Sequence, residues 1–328
     1  MANVLVTGAG GFIGHHLVNY LKGQGHWVRA ADLKQPLFAP TQADEFHQTD
    51  LRRWEACLAM TQDIELVFSL AADMGGIGYI STHHAEILSH NLLISAHMIE
   101  AAHINGVKKY FYPSSACIYP TFRQTQTDIL PLKESDAMPA DPEDAYGWEK
   151  LVGEQLTHHY HHSYGLETYT ARFHNVYGPL GSWEGGREKA PAALCRKVAI
   201  AKLTGNPEVE IWGDGQQTRS FFYIDDALEG VYRLVRTNFH DPVNLGSDRL
   251  ITINDLAHLI AEIAETEMVL KHIKGPQGAR GRNSDNSLLR QVLGWEPQIP
   301  LEVGLRHTYT WIEAQIQERI ANGQPLPV

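Results

Sequence analysis

Cysteine is scarce in this chain, with three residues (Cys57, Cys117 and Cys195) among 328. They are scattered and odd in number, so they frame no disulfide scaffold, and a reducing compartment fits them. Positive charge is also in deficit: 27 Lys and Arg stand against 38 Asp and Glu, for a net charge of −11. An acidic chain lacks the basic footprint of general nucleic-acid binding, so no nucleic-acid partner is expected. An anionic ligand would have to meet local clusters of Arg and Lys instead. No apolar run reaches membrane-spanning length. The N-terminus enters a strand at once, without the charged and apolar regions of a signal peptide. The expectation is a cytoplasmic protein that does not engage a membrane. Internal repeats and low-complexity linkers are missing too.

What is present is a hydrophobic fraction of 43%, ordinary for a globular protein with a sizeable core. In the first half, short apolar runs alternate with amphipathic stretches. Val4–Thr7, Trp27–Ala31, Ile64–Ala71 and Tyr110–Tyr112 read as strands, with a helix carrying Leu17, Val18 and Leu21 and another around Ala85–Asn105. Leu166–Arg172 and Pro242–Leu245 read as later strands of the same sheet. This βαβα rhythm predicts an α/β fold, a Rossmann-type doubly wound parallel sheet with helices on both faces.

The second half is less regular. Glu208–Trp212 and Thr218–Tyr223 flank Gly213-Asp214-Gly215, which reads as a hairpin or tight turn. Thr252 precedes a helix with Asp255 in capping-box position. A last helix is expected near Leu305–Ile320, and the tail Asn322–Val328 is expected to fray. The division expected is a nucleotide-binding domain of residues 1–174 plus about 221–248, and a smaller α/β substrate-binding region of residues 175–220 plus about 249–328.

The segment Thr7-Gly8-Ala9-Gly10-Gly11-Phe12-Ile13-Gly14 lies between a strand and a helix. Gly8, Gly11 and Gly14 let the backbone turn sharply and approach a pyrophosphate at the helix N-terminus. Phe12 and Ile13 belong to the same turn. Glycine triplets also serve ordinary turns, but the strand-turn-helix context is right for a dinucleotide. Asp32, at the end of the second strand, can take both ribose hydroxyls and would repel a 2′-phosphate, which favours NAD over NADP. Asp50, after a short third strand, is a candidate adenine contact or simply a turn aspartate.

Tyr146 and Lys150 stand four residues apart, so on a helix they share a face. The Lys150 cation and an oxidised nicotinamide would both favour phenolate, making Tyr146 a base that takes a hydroxyl proton while hydride leaves for the cofactor. Cys117 reads two ways on position alone, as a reactive thiol or as a small buried hydrophobe. Cys57 and Cys195 lie in apolar helical stretches and read as core. His158, His159, His161 and His162 point in several directions around a helix, and no metal site is expected from them.

The glycine turn together with Tyr146-Gly147-Trp148-Glu149-Lys150 resembles the extended short-chain dehydrogenases/reductases of the NAD-dependent epimerase/dehydratase family. Asn175-Val176-Tyr177-Gly178-Pro179 and Arg219-Ser220-Phe221 look like that family's nucleotide-sugar elements. Ser114-Ser115-Ala116-Cys117-Ile118-Tyr119-Pro120, Gly185-Gly186-Arg187-Glu188-Lys189-Ala190-Pro191 and Gly281-Arg282-Asn283-Ser284-Asp285-Asn286 resemble, more narrowly, the branch that inverts GDP-mannose at C3 and C5. The resemblance runs in order over nearly the whole chain. It implies that Ser115 assists Tyr146 and that Cys117 and Lys189 are the epimerising acid/base pair. It implies substrate contacts from Gly75, Ser115, Ala116, Cys117, Asn175, Glu188, Lys189, Ala190, Lys197, Gln217, Thr218, Arg219 and Arg282. Without it, Lys189 is a charged loop residue and Lys197 a solvated helix residue. It also implies a homodimer built on helices near Leu88–Asn105 and Tyr146–Tyr164.

The chemistry is coherent. Oxidising C4 of a sugar to a ketone acidifies C3 and C5 through enolate formation, so one oxidation enables two inversions. Each inversion removes a proton from one face and returns it on the other, which needs two groups. A thiol near cations and a desolvated lysine can both exchange protons near neutrality. A 4-epimerase or 4,6-dehydratase of another nucleotide sugar and a non-catalytic NAD-binding regulator are the alternatives. The complete Ser115, Tyr146 and Lys150 set argues against the last.

Overall fold

The computed structural model describes residues 1–327. Along the first half run β1 (Asn3–Thr7), α1 (Phe12–Gly23), β2 (Trp27–Asp32), β3 (Glu45–Gln48), α2 (Trp54–Thr61), β4 (Leu66–Ser69), the single turn α3 (Ile77–Ile80), α4 (His84–Ile104), β5 (Lys109–Ser115), α5 (Ala145–Tyr164) and β6 (Glu167–Phe173). The central strands β1 and β4 are apolar almost throughout, the pattern of a parallel sheet covered on both faces. Side chains alternate between those faces: Val4 and Val6 join the core beneath α1, while Leu5 joins the one beneath α2 and α4.

After β6 come β7 (Val176–Tyr177), α6 (Ala190–Thr204), β8 (Glu208–Trp212), β9 (Thr218–Ser220), β10 (Phe222–Tyr223), α7 (Ile224–Leu234), β11 (Val243–Leu245), β12 (Leu250–Thr252), α8 (Ile253–Ala264), β13 (Val269–Ile273), β14 (Gly281–Arg282), α9 (Ser287–Leu293) and α10 (Leu301–Ala321). The central sheet has seven strands in the order β11-β6-β5-β4-β1-β2-β3, all parallel. The order reverses between β1 and β4, and ligands of such sheets bind beyond the strand ends at that switch point. The doubly wound sheet expected from the sequence is therefore present.

The second half departs from expectation in three places. Gly213 and Gly215 take positive φ and make the expected tight turn, but no hairpin forms. The strand β8 pairs in parallel with β13, whereas β9 pairs with β12 and β14. The strands follow one another in sequence, yet their partners come from beyond α7 (β12) or beyond α8 (β13 and β14). Asp255 completes only part of a capping box. Its backbone N–H donates to Thr252 Oγ1 at 2.9 Å, but its carboxylate accepts from the same hydroxyl at 2.7 Å. The last helix starts at Leu301, directly after Pro300, and the described part of the tail is docked, not frayed. Leu326 packs on the core and the Pro327 carbonyl accepts from Arg196 Nη1 at 3.4 Å. Val328 lies outside the described residues.

Candidate active site

The strand ends open into one continuous cleft of about 1100 Å³, large for a site that takes a single small molecule. It runs from the glycine turn after β1, past the ends of β4 and β5 and the start of α5, to the first turn of α6 and the segment around β14.

At one end, glycine is required by the turn itself. Gly8 has φ +68, and a Cβ there would stand 2.8 Å from the Leu70 carbonyl oxygen, while a Cβ on Gly14 would overlap the carbonyl of Gly8. Gly11 caps α1 without a side chain, so N–H groups of the first helical turn are available to an anion. Asp32 accepts from the N–H of Gly10 at 2.9 Å and of Lys34 at 3.2 Å, which ties the second strand to the glycine turn and leaves lone pairs for hydroxyl donors. Phe12 and Ile13 line the same wall. Asp50 also lines the cleft, but Arg52 grips its carboxylate at 2.8–3.2 Å. That hydrogen bonding, against a smaller cost of burial, holds the Asp50 carboxyl down to about 2. This set of donors, acceptors and missing side chains fits a dinucleotide.

In the middle, Asp144 caps α5 by accepting from the Gly147 N–H at 2.9 Å, and this sets Tyr146 in the first turn. Ser115 ends β5 and caps the short turn Ala116–Ile118, its hydroxyl accepting from the Cys117 N–H at 3.2 Å. Lys150 lies 5.5 Å from the centre of the Tyr146 ring and 5.0 Å from that of Tyr112. Lys150 does not act on Tyr146 alone. Burial raises the Tyr146 pKa well above the usual tyrosine value, and the charges of Glu149 and Cys117 add to it, with Ser115 opposing. The Lys150 ammonium is shared with buried Glu149, 3.4 Å away, so its charge is not Tyr146's alone. Glu149, itself raised chiefly by burial, also accepts from Asn91 Nδ2 at 3.0 Å.

Cys57 and Cys195 are fully buried, and burial pushes Cys57 up to about 12. Cys117 is different: it is partly exposed and lines the cleft. Arg282 Nη1 donates to its Sγ at 3.2 Å. Lys189 stands at the N-cap of α6 on the same cleft, its pKa lowered by burial and held up by the charge of Cys117. The segment carrying Lys189 is strapped to the turn after β4. The Arg187 guanidinium lies 3.8 Å from the Tyr79 ring centre and 3.5 Å from Asp73 Oδ1, and its carbonyl accepts from the Gly76 N–H at 2.9 Å.

Gly75, Ala116, Asn175, Glu188, Ala190, Lys197, Gln217 and Arg219 all reach the cleft wall. The Glu188 carboxylate is committed to Arg196 at 2.9 Å and to the Gly186 N–H at 2.8 Å. Lys197 is not on a solvated face; its ammonium donates to the Glu210 carbonyl at 2.6 Å. Gln217 Oε1 is buried without a partner. Burial and the neighbouring Arg282 cation lower the Arg219 pKa. Thr218 is the exception: its hydroxyl donates away to the Thr127 carbonyl at 2.6 Å, behind the wall. In a strand, neighbouring side chains face opposite ways, so Arg219 can line the cleft only if Thr218 does not. The sequence reading missed Gln124, Glu149 and the Asp73–Arg187 strap. Glu149 lay within the Tyr146–Lys150 motif and Arg187 within the Gly185–Pro191 run, whereas Gln124 lay in no motif.

The chain belongs to the NAD dependent epimerase/dehydratase family, whose model matches residues 4–246, and NAD is the cofactor that this membership carries. It is 51% identical over 322 residues to the GDP-mannose 3,5-epimerase of Arabidopsis thaliana, covering 98% of this chain and 84% of that one. Among solved structures it is similar to the UDP-glucose 4-epimerase of Thermotoga maritima with UDP-glucose, at a TM-score of 0.84 and 26% identity over 95% of this chain and 99% of that one. It is similar also to MoeE5 in complex with UDP-glucuronic acid and NAD, at a TM-score of 0.80 and 28% identity over 95% of this chain and 99% of that one.

Proposed function

We propose that this protein is an NAD-dependent 3,5-epimerase that converts GDP-mannose to GDP-L-galactose. The observation that carries this reading is a thiol and an amine, Cys117 and Lys189, lining one cleft with Tyr146, the thiol 3.2 Å from the Arg282 guanidinium. A 4-epimerase needs only the tyrosine; two further proton carriers suit an enzyme that inverts carbons beside a ketone.

NAD, held at the glycine turn and Asp32, would supply reversible hydride transfer at C4 and a positive ring charge that opposes the rise of the Tyr146 pKa on burial. Tyr146 takes the O4 proton as C4 becomes a ketone. Ser115 holds that oxygen and, with Tyr146, donates to the enolate oxygen that forms next. One member of the Cys117–Lys189 pair removes the proton from C3 or C5, leaving the electron pair in the enolate. The other returns a proton to the opposite face. Burial lowers the Lys189 pKa from the usual lysine value, which eases loss of its proton. After both carbons have exchanged, Tyr146 gives its proton back to O4.

Arg219, Arg282 and Lys197 supply the local positive charge that an acidic chain must concentrate for a diphosphate. Gly8, Gly11, Phe12, Ile13, Gly14, Asp32 and Asp50 would hold the dinucleotide, and Gly75, Ala116, Asn175, Glu188, Ala190 and Gln217 would shape the sugar and nucleotide end. Residues 1–174 plus about 221–248 would form the cofactor domain and the remainder the substrate region. Among the described residues no helix is long and apolar enough to cross a membrane, and we assign the enzyme to the cytoplasm. A homodimer is part of the same reading, supported by exposed Leu88 and Leu93 on α4 and Trp148 and Val152 on α5, two helices that pack side by side.

The test is NMR of the purified protein with NAD and GDP-mannose in deuterated water. Deuterium at both C3 and C5, with no loss of water, is expected. Inversion at C4 without deuterium would make it a 4-epimerase, and deuterium at C5 and C6 with a keto-deoxy product would make it a dehydratase.

A further inference from the structure

Gln124 is almost completely buried and lines no part of the cleft, yet every polar atom of its side chain is used on residues that do or that adjoin them. Its Oε1 accepts from Arg282 Nε at 2.5 Å. Its Nε2 donates to the carbonyls of Tyr119 at 2.9 Å and Pro120 at 3.3 Å, the residues that close the Cys117 turn. Its backbone carbonyl accepts from the N–H of Arg280 at 2.9 Å, next to the strand that carries Arg282. One residue therefore joins the two walls that bring Arg282 to Cys117.

The guanidinium is a rigid fork, so fixing one N–H direction fixes the others. With Nε held by Gln124, Nη1 is aimed at the Cys117 sulfur, 3.2 Å away. A guanidinium without that hold could turn towards any anion in the cleft. The alternative role for Gln124 is to satisfy buried carbonyls. That role accounts for the two Nε2 bonds but not for an oxygen placed on the one guanidinium N–H whose direction sets the sulfur contact.

We propose that Gln124 is a positioning residue for epimerisation: it holds Arg282 so that Cys117 keeps its orientation towards the sugar, while Tyr146 acts independently of it. This rests on the 3,5-epimerase reading. The test separates the two chemistries in the holoenzyme. Hydride transfer is followed by absorbance of the reduced cofactor in a single turnover, and exchange at C3 and C5 by deuterium incorporation. In Gln124→Met, which keeps side-chain length and loses the acceptor, exchange is expected to fall at least ~10-fold while hydride transfer at saturating substrate stays within ~3-fold. In Gln124→Glu, which keeps an oxygen facing Nε, exchange is expected to remain within ~3-fold of wild type.

Equal loss of hydride transfer and exchange in Gln124→Met would overturn the proposal, as would unchanged exchange. Should Gln124→Met not fold, Gln124→Glu decides alone: retained exchange supports the proposal, and a ~10-fold loss overturns it. Wild-type enzyme that oxidises C4 but exchanges neither carbon would overturn the parent reading, and this one with it.

Discussion

Gly147 sits directly against the backbone carbonyl of Cys117, so closely that a Cβ added there would overlap the oxygen. The first turn of α5, with Tyr146, is thus locked onto the turn that presents the thiol. Alanine is the better helix former by about 1 kcal/mol, yet Gly147→Ala must push these turns apart. Epimerisation is expected to fall at least ~10-fold, since small misplacements of catalytic groups cost that much or more. Urea unfolding should show a loss of about 1–3 kcal/mol with helix content unchanged by circular dichroism. A variant as active as wild type would mean the spacing of the two turns is not critical.

Tyr146 and Cys117 should fail differently. Tyr146→Phe removes the only acceptor proposed for the O4 proton, so C4 oxidation and everything after it should drop by about 10²–10⁴-fold. Cys117→Ala should leave C4 oxidation in place and abolish deuterium uptake at C3 and C5. Stopped-flow absorbance and NMR read the two steps separately. Full exchange at both carbons in Cys117→Ala would remove the thiol from the mechanism.

His174 predicts an acid limit to stability. It is fully buried, and burial lowers its pKa from 6.5 to about 3, with the Arg282 and Arg172 cations contributing and Asn244 opposing. The unfolded chain takes up a proton at this residue below pH 6.5 and the folded one does not until about pH 3. The neutral ring therefore contributes its full stability above pH 6.5, and that stability drains away as the pH falls through this window. By pH 5 the loss is about 2 kcal/mol, at 1.36 kcal/mol for each pH unit. His174→Gln should flatten the slope of urea-derived stability between pH 6.5 and 5, whatever it costs at neutral pH. An unchanged slope would show that other groups govern the acid limb.

Asp32 joins the cofactor site to its own scaffold through the Gly10 N–H. Asp32→Ala should weaken NAD binding at least ~10-fold, about 1.4 kcal/mol, and narrow the preference for NAD over NADP because the charge that repels a 2′-phosphate is gone. Calorimetric titration of both cofactors checks this. Unchanged preference would place the selectivity elsewhere.

The legible parts of this protein are those written in short stretches. The apolar runs of β1, β2, β4, β5 and β6, the glycine turn and the Tyr146–Lys150 spacing are local patterns, and each appears where the sequence put it. Pairing is not local. The chain between Trp212 and Thr218 reads as a hairpin or tight turn; the turn forms, yet β8 and β9 part and pair with strands that come later in the chain. Thr218 was assigned a ligand contact by position in a motif, and strand alternation turned it away.

The sequence by itself determined the fold class and the dinucleotide turn, because periodicity and glycine spacing act over a few residues; the substrate end of the cleft was implied only by resemblance. Only the tertiary structure decided the state of the cleft residues. Burial and Glu149 raise the Tyr146 pKa, and Lys150 is shared with that same carboxylate. Cys117 is met by Arg282, which is held by Gln124 from 158 residues away. Burial, charge and hydrogen-bond partners depend on distances in space, and segments far apart along the chain set those distances only when they pack.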